Sequence, residues 1–452
     1  MISLLFESNN TKCQSWARVF WRSNQFILVV AVVLIVGLLY ARDLFGISIS
    51  RTMIIGAAII PAVLMRPASL IYYILFLLPL SSGIPGNYIF PLLTVLLFVK
   101  KTNNVTSSGM ICFLVIVFLE LVHFGLYTFR IDFPGTIGYL SAFFFFCYLV
   151  TLKAPEVRNT QCILYFILGL LAFLFAIWYI TQINHNAELL LEEGSRIGYT
   201  KHITDSDQTV MMLSANPNGI GFFSLTGLSL VFILFSFKKI HFVPFVILSL
   251  VFVYVGALSV SRTWLLGIIL LVGLFIFYIR GMKGRYTLPH YVIIILFIVI
   301  AILALYRNEV IYQAFSIRLS NESLSIAGGR TEIFKEYNRY LMNHPLQLLF
   351  GVGAVHYHDV ITEIVNATHN GTQQIVIAYG LVGLVIFVVM AINCYKMNYR
   401  KGYFVCTLTF FVALFYVQSG QLLNPYQNLY SFLIGFVAMR ISDDDVSALN
   451  RY

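Results

Sequence analysis

The sequence predicts an all-α, polytopic integral membrane protein of 12–14 transmembrane helices with one large, partly helical outer loop. Three observations predict it. Of 452 residues, 59% are hydrophobic and only 11% are charged, against about 25% charged in an ordinary soluble domain. The apolar residues fall into runs of spanning length along the whole chain, not into one anchor. Of the 29 Lys and Arg residues, 18 fall in the termini and every second connection between those runs, as the positive-inside rule requires. This composition excludes a soluble enzyme, a disordered chain and a nucleic-acid binder, although the net charge is +10.

Taken in order, the expected spans are 24–40, 46–65, 68–80, 84–99, 109–127, 135–152, 160–182, 216–236, 240–258, 263–280, 290–306, 371–392, 403–418 and 427–440. The first follows a basic segment holding Lys12, Arg18 and Arg22, and ends at Tyr40-Ala41-Arg42-Asp43 with no small-x-small cleavage site, so it reads as an uncleaved span. Span 68–80 is short, and Pro79, Gly83, Pro85, Gly86 and Pro91 crowd its junction with 84–99. The pair reads either as two crossings or as a re-entrant hairpin, and parity is the same in both cases. With a cytoplasmic N-terminus, the inner segments hold 18 Lys or Arg and the short outer ones hold four (Arg42, Arg51, Arg130 and Arg262). Both termini are therefore expected in the cytoplasm of a plasma-membrane (inner-membrane) protein. The cysteines avoid the outer loops and offer no CxxC, so no disulfide framework is expected.

This divides the chain into an N-terminal bundle over 1–182, a first long outer loop over 183–215, spans over 216–306, a large outer loop over 307–370 and C-terminal spans over 371–452. Loops this long are usually functional or disordered, and neither of these is low in complexity. Within the second, Thr331 to Leu341 puts Phe334, Tyr337 and Leu341 on one face and Glu332, Lys335, Glu336 and Arg339 elsewhere, which predicts an interfacial helix stopped by His344-Pro345.

Several outer residues could carry chemistry. Ser261-Arg262 opens a span: its guanidinium either snorkels to the interface or supplies a bidentate fork to a phosphate. Gly328-Gly329-Arg330 is either a flexible turn or a close backbone approach with a second phosphate contact. An Arg beside a helix N-terminus adds to an already positive dipole end, which favours a bound anion. Gly351-Val352-Gly353 reads as a turn or a ligand approach, and His369-Asn370 stands at the mouth of span 371–392, where the imidazole could act as a base. Glu120 and His123 share a helix face near its outer end, either as a structural pair or as a functional intramembrane carboxylate. His356-Tyr357-His358-Asp359 lacks the further ligands of a closed metal site, and Asp205-Ser206-Asp207, the DxD shape that holds a cation for nucleotide-sugar donors, lies outside, where those donors are absent, so no metal or cofactor is expected.

Taken together and in order, these motifs resemble the O-antigen ligase and Wzy-type polymerase superfamily. They are Asn216-Pro217-Asn218-Gly219, Ser261-Arg262, Gly329-Arg330-Thr331, Asn343-His344-Pro345-Leu346, Gly351-Val352-Gly353, His369-Asn370 and Tyr379-Gly380-Leu381-Val382-Gly383. The resemblance covers about 210–392. It implies a glycosyltransferase that uses a glycan on undecaprenyl diphosphate at the outer face, without metal or cofactor. It implies Arg262 and Arg330 as diphosphate-binding cations and His369 as the group activating the acceptor hydroxyl. The accompanying substrate contacts would be Arg196, Asn216, Asn218, Ser261, Gly329, Arg339, Gly351, Gly353 and Asn370, with Lys201 beside Arg196 in the first loop. The lipid bilayer, a chain-length regulator and a flippase are the expected partners. Two substantial outer loops favour a polymerase of repeat units; a ligase transferring finished glycan to a lipid acceptor is the alternative. A transporter would show repeated halves and midplane charges, and the sequence has neither.

Overall fold

The computed structural model describes residues 24–100, 107–126, 133–151, 157–184, 204–205, 208–209, 213, 216–281, 307, 309, 312–313, 316, 330–354, 357–361, 364, 368–401, 404–418, 422–423 and 426–441. Its helices are α1 (Asn24–Asp43), α2 (Arg51–Leu64), α3 (Pro67–Leu77, extended by a 3-10 turn at Leu78–Leu80), α4 (Gly86–Val99), α5 (Ser107–Leu126), α6 (Phe133–Thr151) and α7 (Asn159–Asn184). After a two-residue hairpin, Thr204–Asp205 against Gln208–Thr209, come α8 (Pro217–Ser236), α9 (Phe242–Leu258) and α10 (Arg262–Gly281). The large loop contributes α11 (Arg330–Asn343), α12 (Pro345–Phe350) and α13 (Tyr357–Val360). The chain then returns through α14 (Gly371–Lys401), α15 (Leu408–Val417) and α16 (Tyr426–Ala438).

Every expected span except 290–306, which lies outside the described residues, has its own apolar helix. Four of the described helices are long and apolar enough to cross a membrane by themselves: Asn24–Asp43, Asn159–Ile180, Pro217–Ser236 and Gly371–Lys396. The apolar stretches of the others are shorter, and they pack beside these. α8 is the central helix, buried on all sides, with Ser224, Thr226, Ser229 and Ser236 inside it. Two of these hydroxyls have partners on other helices: Ser229 Oγ lies 2.8 Å from Thr409 Oγ1, and Trp264 Nε1 donates to Ser224 Oγ over 3.2 Å. Peripheral helices are one-sided. α1 buries Leu28, Ala31, Ile35 and Leu39 at helical spacing, while Val30, Val33 and Leu34 face outward.

Hydrogen bonds define two ends of the bundle. At one, Arg42 pairs with Asp43 (Nη2 to Oδ2, 2.9 Å) and donates to Gly83 O (2.8 Å), while Asp43 Oδ2 accepts from Leu213 N (3.0 Å). At the other, the Lys100 ammonium donates to Ala62 O, Val63 O (2.7 Å) and Met65 O, closing the last turn of α2. Asn159 Nδ2 donates to Arg440 O (2.7 Å) where α7 begins and α16 ends. Segment 67–83 therefore runs from the Met65 level to the Asp43 level, and α4 runs back. α3 and α4 thus run in opposite directions between the same two ends.

Span 371–392 departs from expectation. α14 continues to Lys401 and is interrupted at Gly380, where φ is 66° and ψ −166°. The helix expected over 331–341 forms at Arg330–Asn343 and stops before His344-Pro345, where Pro345 opens α12; Tyr337 and Leu341 are buried as one face, but Phe334, expected with them, is exposed.

Candidate functional site at one end of the bundle

The site is assembled from helix starts. Asn216 caps α8, its Oδ1 accepting from Asn218 N at 2.9 Å, and Pro217 supplies the preset φ of the first helical position. α10 begins directly after Val260, a β-branched residue held at φ 45°, a strained turn that positions Ser261 and Arg262. Ser261 is buried and lies 3.3 Å from the Tyr416 hydroxyl, which in turn donates to Asn218 O over 2.5 Å. Tyr416, in the last turn of α15, thus joins the starts of α8 and α10. Arg262, the next residue, is half-buried.

Two residues beyond Tyr416, Gln418 reaches a second cluster. Its backbone and side-chain oxygens accept from Asn370 Nδ2 (3.4 and 3.5 Å), and its Nε2 donates to Thr372 Oγ1 (3.0 Å). Asn370 Oδ1 accepts from Gln373 N (2.9 Å), which caps α14, while Thr368 Oγ1 donates to Gln373 Oε1 (2.6 Å). Gln373 Nε2 then latches the outer loop, donating to Phe334 O (2.9 Å) and Asn338 Oδ1 (3.0 Å) of α11. Gln374 accepts from Leu422 N (2.6 Å) and Leu423 N (2.9 Å) and donates to the Tyr357 hydroxyl of α13 (3.3 Å). His369 lies half-buried between Thr368 and Asn370, inside this network.

Loop helix α11 buries Tyr337, Tyr340 and Leu341 against Val352, Tyr357, Ile361 and Ile377, a small core separate from that of the bundle. Burial pushes the phenols of Tyr337 and Tyr357 above their usual range; the bond from Gln374 partly offsets this at Tyr357. His344 accepts the role of a helix stop, its Nδ1 2.8 Å from Tyr340 O.

The Gly351-Val352-Gly353 segment does more than turn. It enters the bundle beside the interruption in α14: Val352 N donates to Ile377 O (2.9 Å) and Gly353 N to Ala378 O (2.8 Å). Positive φ at Gly351 (77°), Gly353 (97°) and Gly380 (66°) permits this. A Cβ on Gly351 would come within 2.2 Å of Ala378 O, and one on Gly380 within 2.1 Å of Leu349 O. Two backbones touch where neither tolerates a side chain. Since Gly380 is the tenth residue of α14, the contact lies about 13 Å along that helix at 1.5 Å per residue.

Of the sequence-predicted site residues, Asn218 and Ser261 are linked through Tyr416 and Asn370 through Gln418, with Asn216, Arg262 and His369 beside them in the chain. Arg330 opens α11, one turn before the latched Phe334, and Arg339 is exposed beside the latched Asn338. Arg196, Lys201, Gly329, His356 and the side chains of Arg330, His358 and Asp359 lie outside the described residues. Sequence reasoning missed Gln373, Gln374, Tyr416 and Gln418. The two amides in the first turn of an apolar span were the available signal, since polar groups at that depth need a partner.

The family model described as O-antigen ligase matches residues 247–388. This region runs from α9 through the interruption in α14, and includes Ser261, Arg262, Arg330, the two loop glycines, His369 and Gly380. No curated protein and no solved structure matches the chain. The match over residues 247–388 supports the likeness to the O-antigen ligase and Wzy-type superfamily, whose members are glycosyl-transferring enzymes.

Proposed function

We propose that this protein transfers glycan from a lipid diphosphate donor, undecaprenyl diphosphate by resemblance, to a sugar hydroxyl at the outer face of the plasma membrane, and that the acceptor is another lipid-linked repeat unit. The observation that carries the reading is the meeting of the Ser261-Arg262 helix start and the His369-Asn370 helix start at the end of α15, through Tyr416 and Gln418. In the transfer, the acceptor oxygen attacks the sugar C1 and the C1–O bond to the diphosphate breaks. The leaving diphosphate gains charge in the transition state, so preplaced guanidinium groups stabilise that state more than the ground state. His369 takes the proton of the attacking hydroxyl. Arg262 and Arg330 receive the diphosphate, the second from the helix start that Gln373 holds in place. The energy of the new glycosidic bond comes from the donor's diphosphate linkage, and the sequence carries no nucleotide-binding motif.

A second reading is favoured by the match to the O-antigen ligase family: a ligase that moves finished glycan onto a separate lipid acceptor. The length of the 183–215 loop favours the polymerase. Purified protein incubated with lipid-linked repeat units separates the two on a gel. A ladder supports the polymerase. A single shift that requires an added acceptor supports the ligase. Relocated lipid without a new bond overturns both. His369→Ala and Arg262→Lys should each lower turnover at least about 100-fold with normal membrane insertion, the lysine failing because a point charge lacks the bidentate fork. Full turnover in both variants removes these residues from the site.

A further inference from the structure

One buried acid stands apart from the cluster above. On α5, Ile116, Leu119, Glu120 and His123 face the bundle, while Leu114, Phe118 and Leu121 face outward. Glu120 is 3% exposed. A carboxyl group at that depth requires hydrogen-bond partners, and those seen lie on segment 350–354 or beside it. Its Oε1 accepts from Ala354 N at 2.8 Å. Tyr379, whose hydroxyl lies 2.6 Å from that of Tyr139, also hydrogen-bonds it. Gly353 packs so near that an added Cβ would lie 3.4 Å from Glu120 Oε2 and 3.5 Å from His123 Cβ. His123, one turn on, lies beside the same glycine. Glu120 therefore holds the far end of segment 350–354. From there the chain runs to Tyr357, which is bonded to Gln374, the neighbour of the residue that latches α11 and binds Thr368.

We propose that Glu120 is a positioning residue of the glycosyl-transfer site: its carboxyl group clamps Gly353-Ala354 against the interrupted helix and so sets the position of the loop that carries Arg330 and His369. The proposal rests on the functional reading above for what is positioned, and on geometry alone for the clamp. Ala354 N–H lies beyond the paired residues 352–353, so the carboxyl oxygen is the acceptor that holds it. Alanine at 120 leaves that donor and the Tyr379 hydroxyl facing an empty space, whereas glutamine keeps a carbonyl oxygen of the same reach.

The test uses the full chain in lipid nanodiscs, wild type against Glu120→Ala and Glu120→Gln, with two readouts. Hydrogen exchange of the peptide over 350–360 reads the clamp without any substrate. Turnover with a lipid-diphosphate glycan donor reads its consequence. The expected result for E120A is about tenfold faster exchange at the Ala354 amide and at least about a tenfold fall in kcat, with KM changed less than about twofold. E120Q restores both protection and most of kcat. If E120A does not insert, Glu120→Asp, one methylene short of the Ala354 amide, takes its place with the same expectations. Unchanged exchange in the variant overturns the clamp. Lost turnover in E120Q despite restored protection overturns the positioning role, because charge and not reach would then matter. Should wild type transfer no glycan, the functional reading fails, and exchange alone still decides the clamp.

Discussion

Gly351 and Gly380 show at residue scale what a short motif encodes. Each has a positive φ, and each would thrust a Cβ within about 2.2 Å of a backbone oxygen of the other segment. In sequence they read as a turn and as an ordinary helix glycine, because spacing says nothing about which backbones meet. Substituting either by Ala adds a clash against backbone, which cannot rotate away, to an unfavourable φ. We expect G351A and G380A to destabilise the protein by more than about 3 kcal/mol, read as lost yield of folded protein and lowered Tm in detergent. A Tm equal to wild type would refute the close approach. Asn216 and Asn370 were legible only as polar residues near span starts; the structure gives both a capping role, and Asn370 a bridge to Gln418 as well.

At the scale of elements, α11 is held to the bundle by one amide and a small core. The amphipathic pattern of 331–341 was readable, since Tyr337 and Leu341 recur at helical spacing and both are buried. The partner of that face was not, because Val352, Ile361 and Ile377 come from three other segments. Gln373→Leu removes both bonds to α11 and should raise proteolytic cutting within 330–343 several-fold, with the bundle intact. Alkaline pH should loosen the same latch. The phenols of Tyr337 and Tyr357 have folded-state pKa values raised above their unfolded value of about 10. The stability they contribute is therefore complete below pH about 10 and is lost as pH rises through the folded values. Limited proteolysis between pH 8 and 11 checks this, and Tyr337→Phe should remove most of the pH dependence. Cutting rates indifferent to pH would show that the phenols do not report on the latch.

Across the whole molecule, the buried Arg42–Asp43 pair ties α1 to the α3–α4 junction through Gly83 and to the approach to α8 through Leu213. Removing one partner leaves the other charge buried and unpaired, so Asp43→Ala should cost about 3–5 kcal/mol, and the double change R42M/D43N should recover much of it. Denaturation in detergent provides the measurement; equal losses in single and double variants would contradict the pairing. The two ends of the bundle make a further prediction. With native cysteines replaced, a cysteine at Gln418 should be labelled by an impermeant thiol reagent in intact cells, and one at Lys100 only after permeabilisation. The reverse pattern would invert the expected topology.

Which segments are helices, and which of their ends lie together, followed from the sequence alone. Apolar runs of spanning length have few stable alternatives to a helix, and basic residues mark alternate connections. Thus Arg42 and Ser261-Arg262 were assigned to one end and Lys100, Arg158 and Arg440 to the other, as the hydrogen bonds group them. Only the tertiary structure decided that the helix begun at Gly371 is interrupted, and that Glu120 meets Ala354 across 234 positions of chain. Those facts depend on close contacts between backbones and side chains remote in sequence, and hydrophobic periodicity carries no information about which remote surfaces will touch.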